Sequence, residues 1–240
     1  MLKKFVLATV ALSSLAAFAS DDTILVKSLL PEGQDIAQVA LARGNSSAQE
    51  LEELAKSNYI ITDINKDGVK DILVIAEEAA TYRNYNTDLP CQEGTDDCMT
   101  IHGERYLNLY LGKNDGSFEL NFSNSNIPFT ADEGGQMGDP LGGLELRANG
   151  SITISHFGGS AWKWSYKDTF QFRQGDFYVI GQDSAGNNPM MGGDTKSIDL
   201  LTGQVVETTQ KNGDSPVKTK RYKIKVKPLV RVADYKGQQE

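Results

Sequence analysis

Between Ala161 and Arg173 the chain alternates in a way that leaves one reading of its backbone. Trp162, Trp164, Tyr166, Phe170 and Phe172 hold even positions, and Lys163, Ser165, Lys167, Thr169, Gln171 and Arg173 hold odd ones. Successive side chains of a β-strand point to opposite faces, so this is a long strand with one apolar face and one wet face. Because Trp162, Trp164 and Tyr166 share a face with Phe170 and Phe172, core packing is the expectation for them. An aromatic platform for sugar rings is the alternative.

The same period recurs through the second half. The strand turns at Gln174-Gly175-Asp176 into Phe177 to Gly181, and another hairpin turns at Asn149-Gly150 between Leu144 and Ile154. Ser197 to Leu201 and Gln204 to Thr208 flank Thr202-Gly203, and Arg221 to Lys227 alternates Tyr222, Ile224 and Val226 with lysines, as a protected edge strand does. Earlier in the chain, strands are expected at Tyr59 to Ile64, Asp71 to Ala76, Arg105 to Leu111 and Ser117 to Phe122. Ser47 and Glu50 form a capping box ahead of a short helix from about Ala48 to Lys56. The expected fold is mainly β: antiparallel hairpins forming a sandwich-like or curved sheet, one short N-terminal helix, and no closed propeller. Residues 20–240 are expected to form one domain, divided into parts 20–122 and 123–240. A long irregular insertion covers 79–104; loops of that length are often functional.

The first residues have the layout of a cleavable secretory segment: Lys3 and Lys4, an apolar run from Phe5, and the small-residue triplet Ala17-Phe18-Ala19. Ser13 and Ser14 interrupt a run already too short to span a bilayer. Cleavage is expected near Ala19, with the remainder periplasmic or secreted in a Gram-negative-type bacterium. Of 24 basic residues two lie in that segment, so 22 face 32 acidic ones, a net charge of −10. Such a surface repels nucleic-acid phosphates. An unknown ligand or an envelope protein is the expected partner, met by a monomer with no membrane span.

Cys91 and Cys98 bracket CQEGTDDC. In an oxidising compartment a disulfide is the default, worth about 2.5 kcal/mol by loop-closure entropy. The spacing matches neither a CxxC redox pair nor a zinc knuckle.

Residues 63–71 read DINKDGVKD, with oxygen-bearing side chains at Asp63, Asn65, Asp67 and Asp71 and a glycine at position 68. A hard cation takes six to eight oxygens, which alternate side chains of a tight loop can supply, with the Val69 carbonyl as a backbone ligand. Calcium is the expected cofactor; magnesium, with stricter geometry, is the second choice. A helix-loop-helix site would require a glutamate where Val74 stands, and here the loop runs into the strand-like Ile72-Leu73-Val74-Ile75. At this point the chain resembles the FG-GAP or VCBS-type repeat, and LYLGKNDGSFEL (109–120) resembles the closing strand pair of such a unit. The resemblance implies calcium ligation by Asp63, Asn65, Asp67, Val69 and Asp71. The whole chain also resembles a family of bacterial exported proteins with one such loop followed by segments like ADEGGQMGDP and HFGGSAWKWSY; that likeness implies no activity.

Asp132, Glu133 and Asp139 lie in a Gly-rich segment where two carboxylates could serve as acid and base in sugar hydrolysis. His102 and His156 show no zinc spacing, and Ser160 lacks a nucleophile-elbow context. The leading expectation is a calcium-stabilised exported binding domain without catalysis. The alternatives are an envelope polysaccharide or peptidoglycan hydrolase using Asp132, Glu133 or Asp139, and a periplasmic inhibitor acting through the disulfide loop.

Overall fold

The computed structural model describes residues 21–37, 56–212 and 214–238. The expected secretory segment and all but Lys56 of the capping-box helix lie outside them.

One helix, α1 (Asp21–Leu29), opens the described chain. The sequence reading leaves this stretch without an element. Its apolar stripe is narrow, with Thr23 and Val26 as the buried residues, while Asp21 and Asp22 in the first turn and Lys27 in the last oppose the helix dipole. The strands are β1 (Gln34–Ile36), β2 (Tyr59–Thr62), β3 (Asp71–Glu78), β4 (Thr81–Asn84), β5 (Cys98–Ile101), β6 (Arg105–Gly112) and β7 (Phe118–Asn124). After them come β8 (Leu141–Leu146), β9 (Ile152–Gly159), β10 (Lys163–Arg173), β11 (Asp176–Asn188), β12 (Gly192–Asp199), β13 (Gln204–Gln210) and β14 (Lys218–Lys223).

Two antiparallel sheets face each other, and neither closes into a barrel. In the first, β3 pairs with β1 and β2 along one edge and with β6 along the other, and β7 follows β6. Leu73 and Ile75 of β3 turn into the core between the sheets, whereas Ile72 and Val74 pack with Val26 of α1, Ile36 and Tyr110. Cover on both faces explains why β3 is an unbroken apolar run rather than an alternating one. Each such side chain contributes about 1.5–3 kcal/mol through burial.

The second sheet is a seven-stranded meander in chain order, β8 to β14. Ile152, Ile154, Phe170, Phe177 and Val179 meet Leu73, Leu107 and Leu109 of the first sheet in one core. The C-terminal segment enters the same core at Val232 and Tyr235. The side-chain amide of Asn124 donates to the carbonyls of both. No helix among the described residues is long and apolar enough to cross a membrane.

Four expectations change. The stretch 79–104 is not wholly irregular: β4 and β5 pair as a ribbon, closed by the Cys91–Cys98 disulfide. Its exposed residues carry no apolar alternation to announce it. Strand β11 runs to Asn188 rather than Gly181, because its Gly- and Asn-rich second half is held by pairing on both edges. Strand β12 likewise begins at Gly192, five residues ahead of the expected Ser197, with that early half paired to β11 and β13. Strand β14 spans Lys218–Lys223 and stands at the sheet edge, but the chain leaves the ladder where the Ile224 amide donates to the Gly203 carbonyl.

Candidate ligand groove and acidic loop

The acidic loop is curled by its own side chains. Asp63 accepts from the amides of Asp67 and Gly68 at 3.1 and 3.0 Å, Asn65 Oδ1 from Asp67 at 2.9 Å, and Asp67 Oδ1 from Val69 at 2.8 Å. Lys66 and Gly68 take positive φ, which only glycine adopts without cost. Asp71 stands apart: it is fully buried, and its carboxylate accepts from Ile64, Asn65 and Gly112 amides at 2.8, 3.1 and 3.0 Å. Burial raises its pKa, with the three amides pulling the other way. Asp63, Asn65 and Asp67 therefore ring the mouth of the loop, while Asp71 clasps its base to the end of β6. Among the described residues no three His, Cys, Asp or Glu side chains gather into a metal-holding group. As a donor set for a cation, the loop offers oxygens from Asp63, Asn65 and Asp67 and the Val69 carbonyl, each carboxylate keeping lone pairs beyond its amide bonds.

The carboxylates of the Gly-rich segment are committed to separate partners. Asp132 accepts from the His102 amide at 3.2 Å, and Glu133 accepts from the amide and hydroxyl of Thr130 at 2.6 and 3.1 Å. Asp139 is buried and takes the Arg105 guanidinium in a two-pronged pair at 2.7 and 2.6 Å, with Glu77 3.3 Å from the same guanidinium. That cluster ties β3, β6 and the segment before β8 together. His156 is buried beside it, stacked on Phe129 at 4.5 Å, and burial together with the Arg105 charge lowers its pKa to about 3. As a neutral ring it accepts the Phe129 amide at Nε2, 3.3 Å away.

The aromatic strand divides along its length. Phe170 is buried in the core and Phe172 packs against it, but Trp164 and Tyr166 are half-buried and Trp162 is 49 % exposed. Trp164 and Tyr166, 5.4 Å apart, form the wall of a groove of about 630 Å3. Its floor comes from β11, β12 and the C-terminal tail, including Gln182, Ser184, Gly186, Asp194, Lys196 and Gln238. Phe129 meets the edges of both rings, at 5.6 and 6.0 Å, and holds them in place.

Sequence reasoning misses the residue that anchors the groove's end. Asp168 lies on the even, apolar face of β10, where a carboxylate breaks the alternation, and that break is the signal. It is buried and accepts from Tyr235 Oη at 2.8 Å and Gln238 Nε2 at 3.0 Å. Gln182 Nε2 donates to the Tyr235 oxygen at 2.6 Å. Burial raises the Asp168 pKa to about 6, with the Tyr235 and Gln238 bonds opposing the shift.

Compared with known protein families, known proteins and solved structures, the chain finds no match.

Proposed function

We propose that the chain is a monomeric, exported, calcium-stabilised binding domain without catalytic activity, and that its ligand lies in the groove walled by Trp164 and Tyr166. One observation carries this reading: Gly186. It stands opposite Trp164 in the β10–β11 register, its φ is not positive, and a Cβ there would meet only Asp194 Oδ1, at 3.5 Å. Neither backbone conformation nor packing requires a glycine there, and its bare surface deepens the groove beside an aromatic wall. Concave sites of about 300–1,000 Å3 with a few convergent polar groups are where small ligands bind. The scattered commitments of Asp132, Glu133 and Asp139 lend nothing to an acid–base pair. Export is supported by the N-terminal sequence pattern and by the cystine, since disulfides persist in oxidising compartments.

Calcium belongs to the reading through the donor chemistry of the loop. Asp63, Asn65, Asp67 and the Val69 carbonyl would hold the ion, and Asp71 would keep the loop's base in register with β6. Bound calcium would neutralise the loop's crowded charge and stiffen the approach to β3.

Two measurements test the two halves. Native mass spectrometry of protein purified from its own envelope fraction is expected to find a small molecule on the wild type and not on Gly186→Leu; identical loads on both would end the groove reading. Calorimetric titration with calcium chloride, paired with melts in chelator, is expected to show binding heat. A stabilisation of about 3–4 kcal/mol is expected at calcium levels 100- to 1,000-fold above Kd. No heat and no shift would remove calcium.

A further inference from the structure

From the chemistry of the groove we infer that its ligand is a neutral saccharide, stacked on Trp164 and hydrogen-bonded along β11 and β12; this rests on the groove being the ligand site.

The wall is preorganised. Gly158, opposite Trp164 on β9, lies so close under the indole that a Cβ there would come 2.5 Å from Trp164 Cζ2. A bare backbone thus supports one side of the ring, Phe129 braces its edge, and Gly186 leaves the remaining side open. A half-buried, immobile aromatic ring is a platform for an apolar surface, and the ring C–H face of a sugar is such a surface.

The floor selects what accompanies that face. The side-chain nitrogen of Gln182 donates to Tyr235, and that of Gln238 is spent on Asp168 and the carbonyls of Lys167 and Asp183. What remains is the carbonyl oxygen of each amide and one N–H of Gln182, and beside them stand the Asp194 carboxylate and the Ser184 hydroxyl. This floor is rich in acceptors, so it matches a ligand rich in donors. Polyhydroxylated rings supply donors in a row together with an apolar face. An anion would meet Asp194, and a purely apolar ligand would strip water from these polar groups without replacing it. Lys196, 3.7 Å from Glu207, brings a charge already balanced by its neighbour, so it does not draw an anion into the groove.

A glycan array followed by calorimetry with maltohexaose, cellohexaose and chitohexaose tests the inference. Binding of at least one neutral oligosaccharide is expected, weakened tenfold or more by Trp164→Ala and by Gly186→Leu. Trp162→Ala, which alters an exposed ring outside the groove, is expected to leave affinity unchanged. A Cβ at position 186 meets no core residue, so Gly186→Leu keeps the test sound if Trp164→Ala unfolds. An array on which no neutral glycan binds overturns the inference, as does equal weakening by Trp162→Ala. A non-saccharide molecule carried by the wild type and lost from Gly186→Leu would sink the saccharide and leave the groove standing. Empty protein together with a silent array would sink both.

Discussion

Tyr235 donates its hydroxyl to the buried carboxylate of Asp168 at 2.8 Å, joining the end of the chain to the middle of β10 across 67 residues. This bond closes the groove where it meets the core, and it sits on a group with a displaced pKa. Asp168 is held at about 6 against an ordinary 3.8, chiefly by burial. In the window between those values the folded state binds a proton that the unfolded state has released. Asp168 therefore contributes stability that is full below about pH 4 and is lost as pH rises through 6, on the order of 3 kcal/mol. Urea titrations from pH 4 to 7 are expected to show the stability of Asp168→Asn rising with pH relative to wild type; an unchanged slope would remove Asp168 as a source of pH dependence.

His156 acts with the opposite sign. Its pKa is lowered from 6.5 to about 3, so the folded state excludes a proton that the unfolded state takes up. Its contribution is full above pH 6.5 and is lost as pH falls toward 3. The two residues thus offset each other between pH 4 and 6. His156→Gln should show stability falling with rising pH across that window, and Asp168→Asn should show it climbing. The wild type should be flatter than either. Parallel curves for all three proteins would contradict this pairing.

Arg105 and Asp139 form a fully buried pair. Removing one partner of such a pair leaves an uncompensated buried charge and costs about 3–5 kcal/mol. Arg105→Met is expected to lower the unfolding free energy by that amount, and Arg105→Met with Asp139→Leu to recover a large part of it. Should the double variant be as unstable as the single, the cost lies in lost shape rather than stranded charge.

Asp71 and Asp67 separate the buried base of the loop from its exposed mouth. Asp71→Ala strands three amides, two of them buried, and is expected to cost at least about 2 kcal/mol with calcium or with chelator. Asp67→Ala is expected to leave stability in chelator within about 0.5 kcal/mol of wild type and to abolish the calcium-dependent rise in melting temperature. A calcium response that survives Asp67→Ala would place the ion elsewhere.

Much of the architecture was legible. Period-two runs located the long strand at Lys163–Arg173 and the hairpins about Gly116, Gly150 and Gly175, because side-chain alternation and positive-φ glycines are local properties. The apolar run at β3 was legible for the same reason. The second half of β11 was not: Gln182 to Asn188 carries residues that favour turns, and neighbours on both edges make it a strand. The acidic loop could be recognised from its spacing, but not that Asp71 would be drawn inside while Asp63 and Asp67 stay at the surface.

The groove marks the division most sharply. Alternation alone determined that Trp164, Tyr166 and Phe170 share one face of β10. Only the tertiary structure decided which of them that face covers. Strands β10 and β11 have 11 and 13 residues, whereas β3 and β6 of the opposing sheet have 8. Phe170 is sealed in the core between the two sheets, while Trp164 is only half-buried and lines the groove. Which face a side chain takes is set by its own backbone, whereas the extent of cover is set by a partner distant in sequence.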